Sequence, residues 1–228
     1  LRIKHIASSS SGNAHVFGDL LLDCGVNIDR LREEVDLKSL SGCLLSHEHG
    51  DHSKAVGDIL RSGVPVYTSR GSAEALGIYN HHRVYTPEEI ELFYVGDWRV
   101  KSFPVKHDSE EPRAFQFQSE PVKAVYITDA SFSKYYFRGL THMFIECNYS
   151  KEIIGENVER GAINYARKRR TIDNHFSLED VEDLIRASGT ERLRSIHLLH
   201  LSDANSDEKL FKERLEGEFG VPTIIAPK

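Results

Sequence analysis

Short apolar runs broken by polar and turn residues recur along this chain, the pattern of strands in packed sheets. RIKHIA, HVFGD, LLLDC, GCLLS, PVYTS, WRVKSFPV, RAFQFQ, KAVYITD, HMFIEC, SIHLLHL and TIIA are each short, β-branched or aromatic, and bounded by turn residues, which predicts a strand at every one. Elsewhere the spacing changes. NIDRLREEV, HSKAVGDILRSG, SAEALG, a stretch within 151–170, SLEDVEDLIRAS and DEKLFKERLEGEFG place apolar residues three and four apart, so helices are expected there. Two helix starts are signalled: Ser177 with Asp180 three residues on forms a capping-box variant, and Ser206 leads Asp207 and Glu208 into a first turn. Early hairpins, interspersed helices and a second strand-rich half predict an α/β fold: two mixed β-sheets packed together with outer helices, an αββα sandwich. No repeat, low-complexity tract or composition break divides the chain, so a single domain over residues 1–228 is expected.

Composition narrows the setting. No apolar run approaches the roughly 20 residues that cross a bilayer, and the opening LRIKHIAS has neither the cationic start nor the long apolar middle of a signal peptide. A cytoplasmic protein with no membrane partner is the expectation. The 3 cysteines, Cys24, Cys43 and Cys147, form no CxxC pair and are odd in number, which reads as reduced core residues and not a disulfide framework. A net charge of -6 argues against a protein that coats nucleic acid non-specifically. Residues 160–171, RGAINYARKRRT, run against that average, with Arg160, Arg167, Lys168, Arg169 and Arg170 and no acid among them. A solvated helix face explains the run as well as a binding surface does.

The chemistry gathers in LLSHEHGDHSKAV, residues 44–56. GCLLS reads as a buried strand and HSKAVGDILRSG as a helix, so His47, Glu48, His49, Gly50, Asp51 and His52 occupy the loop where a strand hands over to a helix. In an extended segment alternate side chains point the same way, so His47 and His49 can grip one cation, while Asp51 and His52 at the helix start can reach a second. Further donors close other predicted strands: Asp23 after LLL, His107 after WRVKSFPVK, Asp129 after KAVYIT and His200 after SIHLL. The lone histidines His5, His15, His81, His82, His142 and His197 are read as satisfied core or surface residues. Nitrogen and carboxylate ligands without thiolate suit zinc, manganese or iron. Two such cations lower the pKa of a bridging water and neutralise charge on a substrate oxygen, which is hydrolytic chemistry.

HEHGDH followed by single His, Asp and His at strand ends resembles the metallo-β-lactamase superfamily over essentially the whole chain. The resemblance implies that His47, His49 and His107 bind one divalent metal, that Asp51, His52 and His200 bind another, that Asp129 bridges them, and that Asp23 steadies the histidine loop. Asp51 would thereby be catalytic as well as a ligand. An all-His/Asp site is common in the phosphodiesterases and thioester hydrolases of that superfamily, whereas its true zinc β-lactamases carry a cysteine ligand. In its tRNA 3′-processing nucleases a histidine in a His-Ser motif contacts the scissile phosphate and protonates the leaving oxygen, and His175 with Ser177 looks like that element.

ASSSSGNAHVF, LLLDCG, FPVKHDSEEPRAFQF, YITDAS, FIECNYS, DNHFS and LLHLSDANS, in this order, look more narrowly like the YycJ (WalJ) group, whose relatives act as 5′-to-3′ DNA exonucleases. That likeness implies a DNA or nucleotide substrate, two zinc or manganese ions and a homodimer. Ser10 and Asn13 in the serine-rich loop, Ser177, Arg167, Lys168 and Arg170 are the expected substrate contacts. Ser9 stands where relatives have glycine, so no left-handed backbone is expected there. The alternative reading is a small-substrate phosphodiesterase that opens cyclic nucleotides, which the acidic net charge favours. A thioester hydrolase would share the ligands but leave His175 and the basic helix unexplained, and a tRNA-processing role lacks a long inserted arm.

Overall fold

A computed structural model describes residues 1–228, and they divide into two compact units. The first comprises Leu1–Pro104, Ser109–Ser119 and Pro227–Lys228; the second comprises Val105–Asp108 and Glu120–Ala226.

In the first unit β1 (Ile3–Ser9) and β2 (Gly12–Phe17) pair antiparallel, with a register shift between His5 and Ala7. β3 (Leu20–Leu22) joins β2 antiparallel, and β4 (Gly42–Leu44), β5 (Val66–Tyr67) and β6 (Val84–Tyr85) then run parallel to it. Parallel neighbours need crossovers. α1 (Ile28–Glu34) connects β3 to β4, α2 (Gly50–Ser53) and α3 (Val56–Arg61) connect β4 to β5, and α4 (Arg70–Ala75) connects β5 to β6. Leu21, Leu31, Cys43, Leu45, Ile59 and Val66 form the core beneath these helices. β7 (Phe93–Val95), β8 (Trp98–Pro104) and β9 (Arg113–Ser119) make an antiparallel meander. It meets β2 through a T-shaped trio of Phe17, Trp98 and Phe117.

The second unit is a parallel sheet of β10 (Val122–Ile127), β11 (His142–Glu146), β12 (Ser195–Leu199) and β13 (Thr223–Ile225). Every residue of β11 and β12 is buried, as expected for parallel strands covered on both faces. α5 (Lys151–Glu159), α6 (Tyr165–Asn174) and α7 (Leu178–Ser188) cross from β11 to β12, and α8 (Glu208–Phe219) crosses to β13.

All eleven expected strands are present, and the additional β6 and β7 are only two and three residues long. The capping box at Ser177 forms as read. The start placed at Ser206 lies one residue later, because Asp207 is the residue whose side chain accepts from the Leu210 amide. HSKAVGDILRSG is not one helix: α2 and α3 are separated at Lys54–Ala55, and the Ser53 hydroxyl donates back to the Glu48 and His49 carbonyls. Cys24, Cys43 and Cys147 are buried free thiols. No helix is long and apolar enough to cross a membrane.

Candidate metal centre

Parallel strands bring their carboxyl ends to one edge of a sheet, which is where such folds place ligands. In the first unit β3 ends at Asp23 and β4 leads to Ser46 and His47. Asp23 is fully buried and left-handed, with φ 56°. Its carboxylate accepts the Ser46 amide at 2.7 Å, the Ser46 hydroxyl at 2.8 Å and His52 Nδ1 at 2.6 Å. Drawing the proton to Nδ1 leaves the Nε2 lone pair of His52 as the donor atom, the arrangement that orients metal-ligating histidines. The His47 ring lies 4.7 Å from that of His49 and 4.2 Å from that of His52, so three imidazoles converge. Asp51 joins them, its Oδ2 3.5 Å from His52 Nε2. The loop is locked from behind: Cys24 donates to the His52 carbonyl at 2.8 Å, and a Cβ on Gly25 would sit 1.7 Å from the Asp51 carbonyl oxygen, so only glycine fits.

Glu48, though inside the motif, points elsewhere. It accepts from the Ser72 hydroxyl at 2.9 Å and the Glu110 amide at 2.8 Å, tethering the loop to α4. Asn13 is buried, and its side-chain amide reaches the Ser9 and Asp51 carbonyls and His52 Nε2. Ser10 is exposed at the tip of the β1–β2 hairpin, and Ser9 keeps a negative φ, as expected.

In the second unit β10, β11 and β12 end at Asp129, Glu146 and His200. Asp129 and His200 are again left-handed, with φ 42° and 51°, and both are buried. Non-glycine residues in such backbone are uncommon and concentrate at functional sites. His107 Nδ1 donates to the Asn174 carbonyl at 3.2 Å, and its Nε2 lies 3.6 Å from Asp129 Oδ2. Burial holds the His107 pKa below the ordinary histidine value, favouring the neutral, ligating form. Asp129, Glu146, His175 and His200 bring their donor atoms within 4.8 Å of one another.

The residue that sequence reasoning missed is Glu146. It is fully buried, and one oxygen accepts the amides of Ala130 at 3.0 Å and Phe176 at 3.3 Å, while the other lies 2.5 Å from His175 Nδ1 and 3.3 Å from His200 Nδ1. Burial alone would raise the Glu146 pKa, but the His175 imidazole outweighs it and holds the carboxyl below its usual value. Burial likewise pushes His175 down, and the charge and hydrogen bond of Glu146 overcome it, leaving that pKa raised. The one sequence signal was an acid closing the apolar run HMFIE.

His175 sits in the extended link between α6 and α7. That link is pinned by Asn148 donating to the Phe176 carbonyl at 3.0 Å and Leu178 to the Tyr149 carbonyl at 2.8 Å. Ser177 is buried and engages Asp180 as the α7 cap. α6 has no buried residue, so its basic face is solvated. Arg170 reaches toward Asp108 at 3.9 Å and Asn174 donates to Asp108 at 3.1 Å, tying this helix to the residue after His107. Among the lone histidines, His5 pairs with His15 at 3.0 Å and His197 stacks on Phe144 at 4.3 Å. Both donor sets, imidazoles with fixed tautomers beside carboxylates and without thiolate, fit divalent cations.

A family described as the beta-lactamase superfamily domain matches residues 19–198. The chain is 28% identical to exodeoxyribonuclease YycJ of Bacillus anthracis, over 92% of this chain and 86% of that protein. It is 29% identical to exodeoxyribonuclease WalJ of Streptococcus pneumoniae, over 90% and 83%. The solved structure of the metallo-β-lactamase fold protein YhfI from Bacillus subtilis superposes with a TM-score of 0.75 at 15% identity, covering 99% of this chain and 95% of that one. Two mixed sheets flanked by helices, as expected from the order of strand and helix patterns, are thus this fold. With the histidine loop, Asp23, His107 and Asp129 inside the matched span, the chain belongs to the beta-lactamase superfamily.

Proposed function

We propose that this chain is a metal-dependent phosphodiesterase that removes nucleotides from DNA ends, 5′ to 3′. The observation that carries the reading is the Glu146–His175 pair beside Asp129 and His200, a held proton donor for which neither β-lactam nor thioester hydrolysis gives a reason. The exodeoxyribonuclease names of the two relatives support DNA as the substrate.

In this reading His47, His49 and His107 would hold one divalent cation and Asp51, His52 and His200 a second, with Asp129 available to both. Zinc or manganese in that set would supply Lewis-acid charge and a water of lowered pKa. Asp23 keeps His52 in its ligating tautomer, and Asn13 braces the loop beside it through the Ser9 and Asp51 carbonyls. His175, with its Nδ1 proton on Glu146, presents Nε2–H to the scissile phosphate. It gives that proton to the 3′ oxygen of the departing nucleotide as the P–O bond breaks. Arg167, Lys168 and Arg170 on the solvated face of α6, with Ser10 on its hairpin tip, contact backbone phosphates.

The test is mononucleotide release from linear, 5′-phosphorylated double-stranded DNA with manganese, using Asp129→Ala as control. Release by the unaltered protein alone is expected. Equal release by both would reject the ligand set. No release from DNA, with cyclic nucleotides opened by the same sample, would move the substrate to small molecules and leave the residue roles in place.

A further inference from the structure

A cavity of about 250 Å³ opens in the second unit between the β10–β11 loop and α7. Its place in the chain is notable on both sides: Ser131 follows Asp129 by two residues, and Phe176 directly follows His175. Phe176, Leu184 and Ala187 give it an apolar floor. At its lip stand Phe132 and Tyr136, 59% and 65% exposed.

These aromatic rings are not on a loose tail. Ser131 donates its amide to the Lys106 carbonyl at 2.9 Å, Lys106 donates to the Phe132 carbonyl at 3.3 Å, and the Phe137 amide donates to the Ser188 hydroxyl at 3.2 Å. Phe137 itself is buried. A backbone fixed at both ends therefore holds two large aromatic faces in water beside an apolar recess. Drug-sized ligands occupy pockets of roughly 300 Å³ and above, so the recess suits one flat ring system.

The wall formed by α7 carries Asp180 and Asp183. Asp180 engages Ser177 and Lys151, and Asp183 engages Arg186, so part of their charge is offset. Two carboxylates still repel a phosphate, while they tolerate the amino and ring N–H donors of a base. Exposed aromatic side chains next to a backbone-binding site are how proteins hold unpaired bases.

We propose that Phe132 and Tyr136 form a stacking platform that seats an unpaired nucleobase flanking the scissile phosphate in this cavity. The assignment rests on the phosphodiesterase reading of the neighbouring site. Fraying of the DNA end would supply the unpaired base.

Two measurements test it on the full chain. In the first, oligonucleotides carrying 2-aminopurine at either of the two 5′-terminal positions are titrated with the unaltered protein and with the Phe132→Ala, Tyr136→Ala variant. Stacking quenches 2-aminopurine, so quenching by the unaltered protein and its loss in the variant are expected. Phe132→Trp should retain it.

In the second, kcat/KM is compared between an oligonucleotide with normal terminal bases and one made abasic at those positions. A preference of about five- to a hundredfold for the normal end is expected, collapsing toward unity in the double alanine variant. A general structural fault would lower both substrates together and keep the ratio. An unaltered protein that neither quenches nor prefers the normal end, or a variant that keeps both, would overturn the pocket. Quenching lost in the variant, with no DNA cleaved by any sample, would sustain the pocket and sink the nuclease reading instead.

Discussion

Asp23, Asp129 and His200 hold a left-handed backbone, which asparagine, aspartate and histidine enter more readily than other non-glycine residues. Asp23→Asn therefore keeps its backbone but exchanges an acceptor for an amide that can donate to His52 Nδ1. The imidazole proton would move to Nε2, the atom needed for the metal. Affinity for zinc or manganese, followed by competition with a chelator, should fall about 10- to 100-fold, and unchanged affinity would show that Asp23 does not set the tautomer. Glu146→Gln makes the matching test in the second unit. The amide fills the same space yet removes the negative charge from His175 Nδ1. DNA turnover should drop about 100-fold or more while circular dichroism stays the same. Full turnover would remove His175 from the proton-transfer role. Glu146 was hidden in the sequence because its partner lies 29 residues further on, and a lone acid at the end of an apolar run carries no spacing signal.

At the scale of elements, α6 offers the sharpest prediction. It buries no residue, so Arg167, Lys168 and Arg170 contribute little to packing, and replacing all three with Gln should leave the melting temperature nearly constant. If they contact phosphates, the slope of log K against log salt for DNA binding should shrink by about two to three. An identical slope would return α6 to the status of a solvated helix. Other elements show what a linear reading can and cannot catch. β10 and β12 were legible because long apolar runs ending in Asp129 and His200 need no knowledge of their neighbours. β6 and β7 were not, because two or three residues cannot display alternation. The break between α2 and α3 was equally invisible, since the apolar spacing continues through it while the Ser53 hydroxyl bonds backward to the Glu48 and His49 carbonyls. The ligand types stood out in the sequence, but their tautomers depend on Asp23 and Asn174, which only the folded chain brings to His52 and His107.

For the molecule as a whole, each unit carries a histidine away from the candidate metal ligands whose burial penalises protonation. In the first, His5 faces His15 across the β1–β2 pair at 3.0 Å, and desolvation lowers its pKa from 6.5 to about 4. In the second, burial first and then the charge of Arg194 lower that of His142. Both folded values lie below the unfolded one. As pH falls below about 6.5 the unfolded chain takes up protons that the folded chain refuses, and stability declines until the folded pKa is passed. The slope is at most ~1.4 kcal/mol per pH unit for each histidine. Between pH 6.5 and 5 ordinary carboxylates remain largely ionised, so the histidine contribution can be read there from urea unfolding of the chelator-treated protein. His5→Gln and His142→Gln should each flatten the decline. An equally steep decline in both variants would mean that these rings accept protons without unfolding, and the acid sensitivity would then belong to other groups.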